Sequence, residues 1–155
     1  MAEVRPGVRL GIDVGRARVG VARSDRDALL ATPIQTLPRE GALDGIAAVV
    51  AELEPLEIVV GLPLSLSGGD TPSTADARAF AAALAVRTSV PVRLVDERLS
   101  TVSAQRELHR SGRTTRSSRA VVDQVAAVII LQNALDSERA SGRPPGAPVD
   151  PDEGT

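Results

Sequence analysis

Three acidic stretches in this 155-residue chain could do chemistry together. Asp13 interrupts the apolar run LGIDVG, Asp96 and Glu97 abruptly end the run VRLVDER, and Asp123 lies inside VVDQVAAVIIL. Carboxylates are hard oxygen donors, and a site built only of them suits Mg²⁺ or Mn²⁺ over zinc. Zinc sites of the usual kind have no ligands here, since there is no cysteine and only one histidine, His109. Each acid also has an ordinary structural account. Asp13 can hydrogen-bond its own turn, Asp96 can cap one, Glu97 can be a surface charge, and Asp123 can sit at the boundary of a buried stripe. Taken singly, that account is the better one. Taken together, it requires unrelated coincidences at strand ends and a helix edge.

The basic residues add a second pattern. All 18 are arginine, and the overall charge is −2. Asp136–Thr155 holds five acids and two arginines, so the rest of the chain is at a net +1. Between Arg98 and Arg119 there are six arginines and one acid, Glu107. Arg106, Arg110, Arg113, Arg116 and Arg119 make a surface suited to a phosphate backbone, with Arg16, Arg18 and Arg98 close to the acidic stretches. Aromatic content is 1%, so base stacking cannot carry recognition, and backbone and shape must.

The elements that must position these groups follow from local patterns. Residues 8–15 and 18–25 read as a hairpin, with Gly11 and Gly15 leaving room beside Asp13. Leu29–Leu37 is a third strand, held to an edge by Pro33. Asp44–Leu53 is helical and stops at Pro55. Leu56–Leu62, continuously apolar, is a strand buried on both faces. Pro63–Thr71 is a Ser- and Gly-rich loop whose Ser65–Thr71 stretch could touch substrate through its backbone N–H groups. Thr71-Pro72 starts a helix to about Arg87. Pro91–Val95 is a strand, Ser100 or Thr101 starts a helix to about Arg110, and Ser117 or Ser118 caps a last helix to about Glu138. Residues 1–140 form one domain, and 141–155 read as a disordered, acidic, Pro/Gly-rich tail. The order βββ–α–β–α–β–α–α is that of a mixed α/β sheet with helices on both faces. The N-terminus lacks the apolar core of a signal peptide and no run is long enough to span a bilayer, so a soluble cytoplasmic protein with no membrane partner is expected.

The motifs LGIDVGRARVGVARSD, IVVGLPLSLSG, LVDERLST and VVDQVAAVIIL, in this order and spacing, resemble the YqgF (RuvX) family of RNase H-like nucleases. The resemblance covers about Val8 to Leu135. It implies a five-stranded RNase H-like sheet in the order 3-2-1-4-5, its first three strands an antiparallel meander. It also implies a metal-dependent site, of the two-metal-ion type with Mg²⁺ or Mn²⁺. Asp13, Glu97 and Asp123 match the family's acidic positions, as metal ligands and catalytic residues. Asp96 matches as well, either as a further ligand or as the residue that fixes the turn. Strands 1 and 5 would stand two steps apart, about 10 Å, and the longer side chain of Glu97 suits the more distant strand. The implied activity is endonucleolytic hydrolysis of phosphodiesters, processing the 5′ end of pre-16S rRNA during ribosome biogenesis. The alternatives are a Holliday junction resolvase acting on branched DNA, where symmetric cleavage would call for a homodimer, and a non-catalytic nucleic-acid-binding assembly factor. The phosphate-binding fold of sugar kinases and actin also opens on G-I-D-x-G, but it needs a second phosphate motif and an adenosine site that this chain lacks.

Overall fold

A computed structural model describes residues 4–99 and 116–150, with side chains at 4–98 and 125–150. Its centre is a mixed sheet in the order β3-β2-β1-β4-β5-β6. Strands β1 (Arg9–Val14), β2 (Arg18–Ser24) and β3 (Ala31–Pro38) form the antiparallel meander. Strands β4 (Glu57–Leu62) and β5 (Val92–Asp96) extend the sheet in parallel from β1. Every residue of β4 is buried: Ile58–Leu62 is apolar throughout, and Glu57 at its start is paired with Arg5. Pro33 lies on the edge strand, and the β2–β3 register shifts beside it, between Val21 and Ala22. A bulge there accommodates a residue that cannot donate to the ladder.

Helices cover both faces. On one face, α1 (Ala42–Leu53) and α2 (Pro72–Thr88) enclose a core of Leu10, Ile12, Val21, Ile46, Val60 and Leu84. The start of α2 is the one the sequence predicts. Thr71 and Thr74 exchange side-chain and backbone hydrogen bonds in a capping box, and Pro72 opens the helix. On the other face, α3 (Arg116–Ser141) packs through Ala126, Ala127, Ile130, Leu131 and Ala134. It is already helical at Arg116, just ahead of the Ser117 or Ser118 start expected. The helix expected from Ser100 or Thr101 to Arg110 lies outside the described residues. No described helix is long and apolar enough to cross a membrane.

The sheet has six strands where five were expected. The sixth, β6 (Ala147–Pro148), comes from the segment read as a disordered tail and pairs antiparallel with β5. The Val149 amide donates to the Val92 carbonyl at 2.9 Å, and the Arg93 guanidinium donates to the Pro145 and Gly146 carbonyls. Composition registered the shortage of apolar side chains in this segment. It could not register that the open edge of β5 offers backbone partners to any extended strand beside it.

Candidate active site

Asp13 and Glu97 reach the same face of the sheet, the one covered by α3. Asp13 is on β1 two residues beyond Gly11, and a Cβ at Gly11 would stand 2.6 Å from the Leu131 Cβ and 2.9 Å from the Ala127 carbonyl oxygen. Side chains two apart on a strand share a face, so Asp13 projects towards α3 as well. It is 1% exposed. Glu97 arrives from the far side of β4. It opens the 3₁₀ turn Glu97–Leu99 directly after β5, and its side chain folds back across Gly61. A Cβ at Gly61 would lie 2.6 Å from Glu97 Oε1 and 2.6 Å from Ile130 Cδ1.

Strand register completes the arrangement. Ile12 pairs with Val60, so Gly61, one residue on, lies beside Asp13 on the neighbouring strand. On the other side, Asp13 pairs with Gly20. The carboxylate of Asp13 therefore stands between two glycine positions, and the carboxylate of Glu97 occupies the ground above one of them. Gly61 makes the space that Glu97 fills and was missed by the sequence reading, although it is the only glycine in the run LEIVVGL. Gly11 and Gly15 play other parts than the one expected of them. The space at Gly11 is taken by α3, and a Cβ at Gly15 would strike the Arg18 carbonyl oxygen at 2.6 Å. These two glycines permit close backbone approach and a tight turn, rather than leaving room for a ligand.

Burial pushes Glu97 up to about 7, with the charge of Asp96 adding to the effect. Asp96 itself is engaged elsewhere. Arg98 donates to it from its backbone N–H at 2.9 Å, from Nε to both oxygens at 3.1 Å, and from a terminal nitrogen at 2.7 Å. Those hydrogen bonds, against the opposing effect of burial, hold Asp96 below the ordinary carboxylate range. This is the geometry of a residue that fixes the turn presenting Glu97. The same guanidinium reaches the Leu66 carbonyl at 3.4 Å and packs against Gly68. Arg98 thus braces the strand end against the loop after β4. Within that loop, the amides of Ser65, Gly68 and Gly69 donate to the Gly69 carbonyl, the Ser65 carbonyl and Ser65 Oγ. These three amides serve the turn itself.

The remaining expected residues fall in different places. Arg16 is exposed on the β1–β2 turn, and Arg18 begins β2, half-buried. Arg116, Arg119 and Asp123 belong to α3 at positions whose side chains are not described, and Arg106, Arg110 and Arg113 lie outside the described residues. Among the described residues, no group of three metal-ligating side chains is assembled. A cavity of about 440 Å³ adjoins Glu97, walled by Val95, Ile130, Ala134 and the Pro145–Gly146 turn.

The meander, the two parallel strands added beside β1 and the helices on both faces define the RNase H-like fold, with acids at the carboxyl ends of β1 and β5. Residues 7–137 match the family described as RuvX: Holliday junction resolvase, and the chain belongs to that family. A protein of Leifsonia xyli subsp. xyli named "Putative pre-16S rRNA nuclease" is 62% identical over 151 residues, covering 96% of this chain and 97% of the relative. A Streptomyces coelicolor protein of the same name is 53% identical over 151 residues, 95% of this chain and 90% of its own. The structure of Thermus thermophilus RuvC in complex with a Holliday junction substrate shares the fold. Its TM-score is 0.55 over 88% of this chain and 98% of its own, at 17% identity.

Proposed function

We propose that this chain is a metal-dependent endonuclease that hydrolyses phosphodiesters in structured nucleic acid, with the 5′ end of pre-16S rRNA as its substrate. The observation that carries the reading is the convergence of Asp13 and Glu97, both buried, on one face of the sheet across Gly61. Burying two carboxylates side by side is costly. A carboxyl driven up to about 7 by burial and a neighbouring acid is one that a divalent cation would return to its charged form.

Asp123 is the proposed third ligand, supported by the register of α3 against β1. The Arg9 guanidinium donates to Glu138 at 3.0 Å, and Gly11 lies under Leu131 and Ala127. The helix therefore runs antiparallel to the strand. Moving on from Gly11 to Asp13 leads one turn back from Ala127, to position 123. Position 123 is also three, four and seven residues from the buried Ala126, Ala127 and Ile130, the spacing of one helix face.

Oxygen donors of this kind fit Mg²⁺ or Mn²⁺. Ions held there would acidify the attacking water and offset charge on the leaving oxygen, in the two-metal arrangement. The chain's own contribution is positional. Gly61 clears the site, Asp96 and Arg98 fix the turn that aims Glu97, and the arginines at the carboxyl edge meet substrate phosphates. The substrate is met in the cytoplasm.

Cleavage of a pre-16S rRNA fragment and a four-way DNA junction, side by side with Mg²⁺ and with Mn²⁺, tests the proposal. Cleavage of the rRNA at its 5′ boundary is expected. Cleavage confined to the junction would establish the resolvase reading, and binding without cleavage of either would establish the assembly-factor reading.

A further inference from the structure

The β1–β2 turn follows Asp13 by two residues and presents Arg16 to solvent, yet the turn is not held by its own hydrogen bonds alone. Arg39, between β3 and α1, reaches it twice. The Arg39 amide donates to the Ala17 carbonyl at 2.9 Å, and its guanidinium donates to the Gly15 carbonyl at 3.0 Å. The same guanidinium forms a two-pronged pair with Asp76 of α2, at 2.8 and 2.7 Å, and lies 5.0 Å above the centre of the Phe80 ring. One side chain thus joins the turn, a carboxylate and an aromatic face of α2. The planar fork of arginine can do this, whereas the single ammonium of lysine cannot. Asp76 is held below the ordinary carboxylate range, chiefly by its hydrogen bonds from Arg39 and against burial, with the charge of Arg16 adding to the effect. Arg16 therefore lies within electrostatic range of the clamp.

We infer that Arg39 is a positioning residue for nucleic acid: by tying the Gly15 carbonyl to Asp76 it fixes the β1–β2 turn and holds Arg16 where a substrate phosphate passes Asp13. This rests on the nuclease reading for its ligand. Arg39 directs three of its guanidinium N–H groups to protein acceptors, and in this proposal Arg16 makes the phosphate contact.

The test is binding of a four-way DNA junction without divalent cation, measured across salt concentrations for the full chain. Arg16→Gln should make the log–log slope shallower by about 0.9, the share of one duplex phosphate. Arg39→Met should lower affinity and make the slope shallower by a similar amount in the wild-type background, and change neither further in the Arg16→Gln background. Arg39→Lys keeps the charge but should behave like Arg39→Met. Asp76→Asn should weaken binding too, because it loosens the clamp while keeping Arg39. If Arg39 touched phosphate directly, Asp76→Asn would tighten binding, Arg39→Lys would retain the slope, and the loss at Arg39 would persist in the Arg16→Gln background. Any of these overturns the inference. An unchanged slope in Arg16→Gln overturns it as well. A wild-type protein that binds neither the junction nor a pre-16S rRNA fragment overturns the nuclease reading instead.

Discussion

β1 and β4 lie side by side, and acids are buried at both ends of the pair. At the amino end, Glu57 and Glu138 of α3 meet Arg5 and Arg9. Arg5 reaches Glu138 at 2.7 Å and Glu57 at 3.1 Å, and Arg9 reaches Glu138 at 3.0 Å. At the carboxyl end, Asp13 and Glu97 converge over Gly61, and Arg98, next in the chain, gives its guanidinium to Asp96 instead. Glu138 and Glu97 are shifted in opposite directions. Burial works to raise Glu138, but the hydrogen bonds and charges of Arg5 and Arg9 prevail and lower it. Burial raises Glu97 and the neighbouring charge adds to the rise. One end is a pin that closes helix onto sheet; the other is the acid-rich site proposed to take a cation.

Substitutions should separate the two ends. The largest effect is expected at Asp13. Asp13→Asn keeps the shape and removes the charge, so cleavage should fall to background while the thermal transition stays at or above that of the wild type. Residual cleavage by freshly purified Asp13→Asn would remove Asp13 from the catalytic set. At the amino end the pattern reverses. Glu138→Gln leaves Arg9, which is 2% exposed, without its charge partner, and breaking such a pair costs about 3–5 kcal/mol. Denaturant unfolding should show that loss, while cleavage at a temperature where the variant is folded should be unchanged. A loss of cleavage in folded Glu138→Gln would mean that the two ends are coupled through α3.

A smaller effect is expected from pH. Glu97 has an ordinary value of 4.5 and a folded value of about 7, so the native state holds this proton more tightly than the unfolded chain does. Its contribution to stability is fully present below 4.5 and is lost as pH rises through 7, a difference of about 3 kcal/mol. Glu97→Gln should therefore be more stable than wild type at pH 8 and little different at pH 4.5. Added Mg²⁺ should stabilise the wild type at pH 8 and act much less on the variant. Equal pH dependence in both proteins would show that Glu97 ionises without cost.

What the sequence reveals of these two ends differs for a physical reason. Asp13, the meander and the buried β4 are local patterns of alternation and apolar runs, and Thr71-Pro72 is a local start signal. The structure realises all of them within a residue or two. The amino-end pin is invisible in local spacing, because Arg9 and Glu138 are 129 residues apart and neither is unusual among its neighbours. Gly61 and Arg39 are hidden in the same way. A glycine in an apolar run and an arginine in a loop acquire meaning only once Glu97 and Gly15 are brought to them. Sequence order can name the acids of the carboxyl end, but it cannot say which of Asp96 and Glu97 turns inward. That depends on Arg98 taking Asp96.

The smallest effect, and the sharpest probe of the acid end, concerns the tail. Pro145 and Gly146 wall the cavity beside Glu97, and Val149 packs against the core beyond β6. Reading the tail as disordered, one expects truncation after Ala140 to change neither stability nor cleavage. The β5–β6 pairing reverses the stability half of that expectation. Removing a two-residue strand and one half-buried valine should cost on the order of 1 kcal/mol. It should also admit water to the cavity, lessen the burial of Glu97 and bring its value down from about 7, narrowing the pH window described above. Gly146→Ala is the point-mutant version. Gly146 has φ 63°, and a Cβ there would stand 2.0 Å from the Leu94 carbonyl oxygen, so alanine cannot be accommodated without undocking the turn. Truncation and Gly146→Ala should then lower stability by similar amounts at pH 5 and by less at pH 8, where an ionised Glu97 gains from the added water. A loss independent of pH would mean that the tail seals the edge of β5 without bearing on the acids.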